Sequence, residues 1–462
     1  MNRDDYRSIR PYLPVELGTL DCWPPAVVKT LKSLSGGPSL SNVSSGKHFA
    51  GAIADLRSSL GFRPLRPNTS LGLSLFFDNL MSKDEAEKWF VEVVPRLADL
   101  VLSLPALLED HYKNAGEIGL RLLKSQQSGM VVLSQELISA LLSCALFCMF
   151  PTANRGENYL PPINFDYLFG RECNMASHEN KIKCLVHYFE RVSTNMPSGN
   201  VSFERKVLPF TNADFWSNST NLLCKFEIHS SGVIEDQSTE LLEVDFADRY
   251  LGGLVLQLGT LQEEIRFSIN PELIIGTLFL PVMADNESIE MVGAERFSNY
   301  TGYDLTFRFS GDHKDNKCVD AVGRRRTRVI AIDALEQPGS TQYKPESLVR
   351  EANKAFCGFR LNPNVEGEMG VATGNWGCGV FGGDVEVKIV IQWLAASEAK
   401  RAFLFYYTFG LEALEKLGPF VEWVEAHKWS VGEVWSRVVE YSGERVRGET
   451  RDGFFEWLVP LL

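Results

Sequence analysis

The sequence contains no C-x-x-C pair, no apolar segment of membrane-spanning length and no excess of positive charge. Its nine cysteines, Cys22, Cys144, Cys148, Cys173, Cys184, Cys224, Cys318, Cys357 and Cys378, are odd in number and scattered. That pattern argues against a disulfide framework or a Cys-rich zinc site, and for a reducing compartment. The longest apolar run, Leu137 to Phe150, falls short of the ~20 residues a membrane span needs and stops at Pro151. It reads as a buried helix, and no membrane association is expected. The opening residues MNRDDYRSIRPYLP lack the apolar core of a signal peptide. With 46 basic against 59 acidic side chains the net charge is -13, which argues against general affinity for nucleic-acid phosphates, so no direct DNA binding is expected. Internal repeats and low-complexity tracts are also absent.

What is present is an ordinary globular composition, 45% hydrophobic and 23% charged. At ~150 residues per domain, 462 residues suggest two or three domains. Residues 1–200 carry 20 basic and 20 acidic side chains, whereas 201–462 carry 26 and 39 and hold the whole negative excess. The Pro/Gly/Ser/Asn-rich stretch from Ser193 to Ser202 lies between these halves, so the expected division is a helical accessory domain, 1–200, and a second domain, 201–462.

In the first half, Ala86 to Leu107 and Leu120 to Phe150 place apolar residues at three- and four-residue spacing, predicting helices that bury one face. His111, His178 and His187 have no metal-ligand spacing and read as surface or satisfied core histidines. The second half changes to short β-branched and aromatic runs, Leu242 to Ala247, Arg328 to Leu335 and Ala402 to Phe409, separated by Gly-rich loops. Strands alternating with helices predict an α/β layer that binds ligands at the carboxyl ends of its strands. The tail from Leu411 to Leu462 reads as helical, with Trp423, Trp429 and Trp435 as packing residues. The cluster Arg324, Arg325, Arg326 and Arg328 fits a nuclear address, a phosphate-facing patch or a solvated face.

The densest chemistry lies between Leu242 and Phe267. A strand ending at Asp245 leads into a Gly252-Gly253 turn, and a second turn at Gly259 precedes Thr260-Leu261-Gln262-Glu263, which fits a T-x-x-E capping box. A helix is expected from about Leu261, its free N–H groups beside the glycines offering an anion site. Glu263 and Glu264, adjacent on a helix, point ~100° apart and do not form a facing dyad. One can act while the other positions; equally, they can be a cap and an ordinary first-turn acid. A general acid needs its proton near neutrality, whereas a helix N-terminus favours the anion; a bound anionic diphosphate would work in the opposite sense. The second loop, Val371 to Asp384, has five glycines in fourteen residues. Within it Gly377 to Gly382 matches G-x-G-x-x-G, a weak dinucleotide signal at this place in the chain, and Asp384 can cap the segment that follows.

These blocks, VDFADRYLGGLVLQLGTLQEEIRFSINPEL, GAERFSNYTGY at 293–303, RRRTRVIAIDAL at 324–335, ATGNWGCGVFGGD at 372–384 and YYTFG at 406–410, resemble the poly(ADP-ribose) glycohydrolase family, plant members above all. The resemblance implies a macrodomain-like α/β sandwich with an N-terminal all-helical accessory region and a helical tail. It also implies hydrolysis of ribose-ribose O-glycosidic bonds without metal or redox cofactor, on poly(ADP-ribose) carried by modified proteins. By the same resemblance Glu264 is the general acid/base, Glu263 holds ribose hydroxyls and Asp245 supports them. Ile234 and Glu235 match the adenine segment, Tyr303 and Phe409 the pocket aromatics, and Gly374, Asn375, Gly377, Gly379, Phe381 and Gly382 the diphosphate loop. Asp248, Gly252, Gly253 and Gln262 complete the expected substrate contacts. A monomer in the nucleus, the cytoplasm or both, serving the DNA damage response, is the corresponding expectation.

Two positions depart from the family pattern. Leu254 stands where the family has the third glycine of its triplet, which is unfavourable if that position needs positive φ or closest approach to the ligand. Asp248, often Asn in relatives, adds negative charge beside an anionic substrate. A catalytically impaired paralogue that binds ADP-ribose is therefore the alternative, and a nicotinamide-dependent oxidoreductase the third reading. Because the acidic half is the one that would bind a polyanion, recognition is expected in a local pocket rather than a basic groove, with shallow salt dependence.

Overall fold

The computed structural model describes residues 3–459 apart from 19–20, 154, 171–174, 210, 238–239 and 361–368, so Cys173 lies outside the described residues. Ten strands are seen among them: β1 Gly129–Ser134, β2 Asn200–Val207, β3 Lys225–His229, β4 Leu242–Ala247, β5 Glu287–Val292, β6 Ser298–Thr301, β7 Arg308–Asp312, β8 Arg328–Asp333, β9 Val371–Thr373 and β10 Phe403–Tyr407. Eight form one sheet in the order β1-β2-β5-β8-β4-β9-β10-β3, while β6 and β7 pair as a separate hairpin. From β8 through β4, β9 and β10 to β3 every pairing is parallel; β5, β2 and β1 add antiparallel neighbours. Five carboxyl ends therefore share one edge of the sheet, and the loops that leave them are the Gly-rich segments of the sequence.

Strand alternation sends successive side chains into two cores. Ile330 and Ile332 of β8 pack with Val244, Leu404 and the helices Pro345–Phe359 and Val385–Glu398. Val329 and Ala331 face the other way, into a core shared with the N-terminal helices. That second core runs without interruption from Tyr6 to Ala331, across the change of charge near residue 200. The arrangement is the expected α/β sandwich with a helical region against one face.

The expected strands at 242–247, 328–335 and 402–409 contain β4, β8 and β10. The helix expected over 86–107 runs over Lys83–Lys88, a π-helical turn at Trp89–Val93 and Val94–Asn114. The expected helix from Leu120 to Phe150 is corrected. Residues 120–128 are irregular, β1 follows, and the helix is confined to Gln135–Leu146, capped by Ser134. The accessory region is thus not all-helical: β-branched Val131 and Val132, opening on Gly129, find a partner in β2 and extend the main sheet. From Leu137 to Phe150 every residue is buried, as expected of a core helix, and no helix among the described residues is long and apolar enough to cross a membrane.

The tail forms helices at Leu417–His427, Val431–Arg447 and Phe454–Leu458. Trp435 is buried and stacks on Trp216 at 5.6 Å, with Trp423 and Trp429 at the margin of the same core. The arginine cluster is engaged internally: Arg324 pairs with Asp320, Arg325 with Glu295, Arg326 with Glu240, and Arg328 with Glu240 and Glu290. His111 accepts the Leu120 N–H, and His178 meets the Leu168 carbonyl; burial lowers both pKa values to about 4. His187 lies against Asp312.

Candidate active site

The loop after β4 descends through Gly252 and Gly253, with φ of +86° and +49°, and returns to the helix Gln262–Ile269. The N-cap is Leu261 in extended conformation, not Thr260. Leu261 has no side-chain acceptor, so Glu264 reaches back to its N–H (2.9 Å), and Thr260 instead donates to Asp304. The capping role expected of Glu263 thus belongs to Glu264.

Glu263 turns into the loop, accepting the Asp248 N–H on Oε2 (2.8 Å) and the Gly252 N–H on Oε1 (2.7 Å). Glu264 also takes the Leu254 N–H (2.9 Å). Each of the four carboxylate oxygens therefore holds one backbone amide, and Glu263 and Glu264 are only 4% and 6% exposed. Their convergence corrects the expectation that adjacent glutamates diverge. A Cβ on Gly253 would stand 2.6 Å from Glu263 Oε2 and 2.6 Å from Glu264 Oε1. Only a bare backbone fits between them. Gly259 is constrained likewise, since its Cβ would lie 2.6 Å from Glu264 Cδ and 2.7 Å from Leu254 Cβ.

Asp245 is fully buried on β4, and neither of its carboxyl oxygens has a hydrogen-bond partner. Burial raises its pKa to about 8; Arg266 opposes this and the Glu264 charge adds to it. Glu263 is raised well above the carboxylate range by burial, then by the charges of Asp245 and Glu264. Burial also raises Asp248. Arg266 is held by a buried ion pair with Glu243 (2.5 Å), which Lys317 also engages (2.7 Å). Burial works to raise Glu243, but these two cations outweigh it and keep it below its usual range. The structure thus concentrates three buried carboxyl groups, Asp245, Glu263 and Glu264, where a bound group would meet both acids and oriented amides.

Around them stand the other expected residues, on loops that follow parallel strands, at the start of the helix Gln262–Ile269 or on the β6–β7 hairpin. Gln262 is a strut rather than a free ligand: its side chain accepts from Phe246 N–H and donates to the Val244 carbonyl. Tyr303 is half-exposed, and burial followed by the Glu264 charge raises its hydroxyl pKa. Asp304 N–H bonds to the Thr260 carbonyl and ties that hairpin to the glutamate loop. Ile234 is buried against Ala372 and Tyr407, and Glu235 accepts from the Tyr300 hydroxyl. In the loop after β9, Asn375 is engaged at both ends, by the Tyr406 hydroxyl and the Thr408 carbonyl. Gly377 and Gly382 have positive φ, Gly379 and Gly382 face solvent, and Phe381 packs partly into the core. Asp384 caps the helix after it, as expected. The ring of Phe409 covers Gly374, whose Cβ would meet it at 2.6 Å. Phe409 itself is half-exposed with φ +53°, a strained backbone holding an aromatic ring at the rim.

Leu254 does not carry the strain its position suggests. Within 252–254 positive φ is confined to Gly252 and Gly253, and Leu254 is 49% exposed while its N–H serves Glu264. Among the described residues no group of three His, Cys, Asp or Glu side chains is placed to hold a metal ion. Sequence reasoning missed Arg266, Tyr300 and Lys181. Lys181 left a signal, since it lies in line with Cys184, Leu185 and Tyr188 on the buried face of the helix Ala176–Thr194.

Comparison with known proteins agrees with this geometry. Residues 213–416 match the family model described as poly(ADP-ribose) glycohydrolase, Macro domain fold, and residues 81–205 match its helical domain. Poly(ADP-ribose) glycohydrolase 1 of Arabidopsis thaliana is 48% identical, the alignment covering 100% of this chain and 98% of the relative. Probable poly(ADP-ribose) glycohydrolase 2 of the same plant is also 48% identical, over 100% and 99%. Poly(ADP-ribose) glycohydrolase 1 of Caenorhabditis elegans is 35% identical over 56% of this chain and 35% of its own length. With a Macro-domain sheet, a helical domain against it, and two plant relatives matched over 98% and 99% of their length, the chain belongs to the poly(ADP-ribose) glycohydrolase family.

Proposed function

We propose that this protein is a glycosidase that hydrolyses the ribose-ribose O-glycosidic bonds of poly(ADP-ribose) and releases ADP-ribose, with Glu264 as general acid/base. The observation that carries the residue assignment is the pair of buried glutamates facing Gly253, each oxygen holding one backbone N–H. Such a carboxyl group is oriented before substrate arrives, and the missing Cβ at Gly253 is what lets both acids close on the loop backbone that orients them.

The step begins with transfer of the Glu264 proton to the leaving ribose oxygen. The C1–O bond breaks with its electron pair on that oxygen, leaving an oxocarbenium-like centre. Water then adds to C1 and returns a proton to Glu264. Asp245, protonated at neutral pH, and Glu263, whose raised pKa also favours the neutral form, limit the negative charge the cluster accumulates beside an anionic substrate. Glu263 holds ribose hydroxyls, Tyr303 and Phe409 flank the adenine side, and the glycines of 374–382 offer backbone to the diphosphate. The substrate's own diphosphate takes the place of the second carboxylate that other glycosidases use to steady the cation. Recognition through this pocket fits a protein of net charge -13, engages few ADP-ribose units at a time, and needs neither DNA nor a membrane. We place it as a monomer in the nucleus or cytoplasm, the reducing compartment being supported by nine cysteines that are odd in number and scattered.

The test is release of ADP-ribose from labelled poly(ADP-ribose). Glu264→Gln should lower kcat by ~10²–10⁴-fold with ADP-ribose affinity retained. Wild-type turnover in Glu264→Gln would sink the assignment. Binding without release by the unaltered protein would instead make it a recognition module.

A further inference from the structure

Lys181 lies within the helix Ala176–Thr194 of the accessory region and is 1% exposed. Its Nζ donates to the backbone carbonyls of Leu254 (3.3 Å), Gln257 and Gly259 (2.7 Å). An ammonium group has three protons, and three carbonyls within six residues take all of them. A buried cation is costly unless it is fully engaged. Burial lowers the Lys181 pKa to about 7, and only the Glu264 charge opposes it. Met would fill a similar volume without that cost, so the ammonium is there for the loop it holds.

The position of the three carbonyls says what is held. Leu254 presents its carbonyl to Lys181 and its N–H to Glu264 Oε1; Gly259, also held by Lys181, lies two residues before Leu261, whose N–H binds Glu264 Oε2. Both amides that orient Glu264 therefore lie at or within two residues of a carbonyl that Lys181 fixes. Leu251, Val255 and Leu256 anchor the loop in the core, and the two glutamates take its amides. Its own backbone bonds are turns, Gly253 N–H to Tyr250, Val255 N–H to Gly252 and Gln257 N–H to Leu254, with no strand partner, so Lys181 supplies the side-chain donor that holds its carbonyls. The helix beneath is firm, since Cys184, Leu185, Tyr188 and Phe189 are buried along it.

We infer that Lys181 is a positioning residue for glycoside hydrolysis: the helical region reaches across to the catalytic loop and holds in place the two amides that orient Glu264. This rests on the role proposed for Glu264, and it gives the accessory region a direct part in the reaction rather than only a supporting one.

The test combines turnover with amide hydrogen exchange in the full-length protein. Lys181→Met should lower kcat by ~10- to 100-fold, as expected for a misplaced catalytic group, while ADP-ribose affinity, which draws on the loops after β3, β9 and β10, changes less than about threefold. Exchange in peptides spanning 252–262 should rise about tenfold, with β8 and the helix Pro345–Phe359 unchanged. A merely structural lysine would lower thermal stability and protection throughout, and leave kcat of the folded fraction intact. Lys181→Gln, which keeps two donors, serves if the Met variant does not fold, and should give an intermediate kcat and exchange rate. Wild-type kcat and loop exchange in either folded variant overturn the inference. If the unaltered protein releases no ADP-ribose, the Glu264 reading fails, whereas the exchange measurement still decides whether Lys181 holds the loop.

Discussion

Gly253→Ala is the most direct perturbation of the catalytic geometry, because one added methyl group meets both glutamates. The backbone at Gly253 has φ +49°, a left-handed conformation that costs an L-residue roughly 1–2 kcal/mol. The new Cβ would also stand 2.6 Å from Glu263 Oε2 and 2.6 Å from Glu264 Oε1, well inside ordinary contact. The amides of Asp248, Gly252, Leu254 and Leu261 hold those oxygens, so any retreat weakens hydrogen bonds worth about 0.5–1.5 kcal/mol each. Partial loss of two such bonds with the backbone cost gives a destabilisation of roughly 2–4 kcal/mol. The effect on catalysis should be larger than folding alone explains, since displacing a reacting group by ~1 Å can cost about 10²-fold. The assay is steady-state release of ADP-ribose, with thermal unfolding to verify the folded fraction. Gly51→Ala is the control: its Cβ meets nothing within 4 Å and it lies in the helix Gly46–Ser59, so stability should rise by roughly 0.5–1 kcal/mol with activity unchanged. A folded Gly253→Ala variant within threefold of wild-type kcat/KM would refute the claim that both carboxylates close on this position.

Other outcomes follow from the same geometry. Leu254→Gly should change kcat less than about threefold, because Leu254 is not at positive φ and its N–H survives the substitution; a tenfold gain would show that the exposed side chain obstructs the substrate. Asp245 has its folded pKa raised to about 8 against roughly 3.9 unfolded. The native state therefore binds the extra proton between those values, and the stability this contributes is full below about pH 4 and is lost as pH rises through 8. Asp245→Asn should accordingly flatten the fall of Tm between about pH 4 and pH 8; equal slopes would contradict the assignment. Phe409→Gly removes a strained φ of +53° along with the ring, so stability should move by less than about 1 kcal/mol while ADP-ribose affinity, measured by calorimetry, falls about tenfold. Unchanged affinity would remove Phe409 from the pocket.

Periodicity and turn chemistry were enough to place β4, β8 and β10 and the Asp384 cap, because each depends on residues close in sequence. They failed at β1: apolar spacing over 120–150 satisfies a helix, and only the presence of β2 alongside decides for a strand. The partners of the arginine cluster were out of reach for a similar reason, since Glu240, Glu290 and Glu295 come to it from separate places along the chain. The motif also misplaced the cap. Thr260 and Glu263 fit the pattern, yet the loop geometry hands the role to Glu264.

The sequence by itself determined the family, the order of the glycine loops and which glutamates to examine, because these are properties of residue type and spacing. What only the tertiary structure decided is how those glutamates are used. On an isolated helix Glu263 and Glu264 diverge; folded against the 248–259 loop they converge on the missing Cβ of Gly253. The charge of the site was likewise out of reach, since Asp245 becomes a neutral acid only through burial. Lys181, seventy-three residues before Leu254, enters the site solely because a helix of the accessory region packs beneath the catalytic loop. Burial and long-range approach are sums over contacts that no local pattern encodes, and in this protein they set the protonation of Asp245 and the orientation of both glutamates.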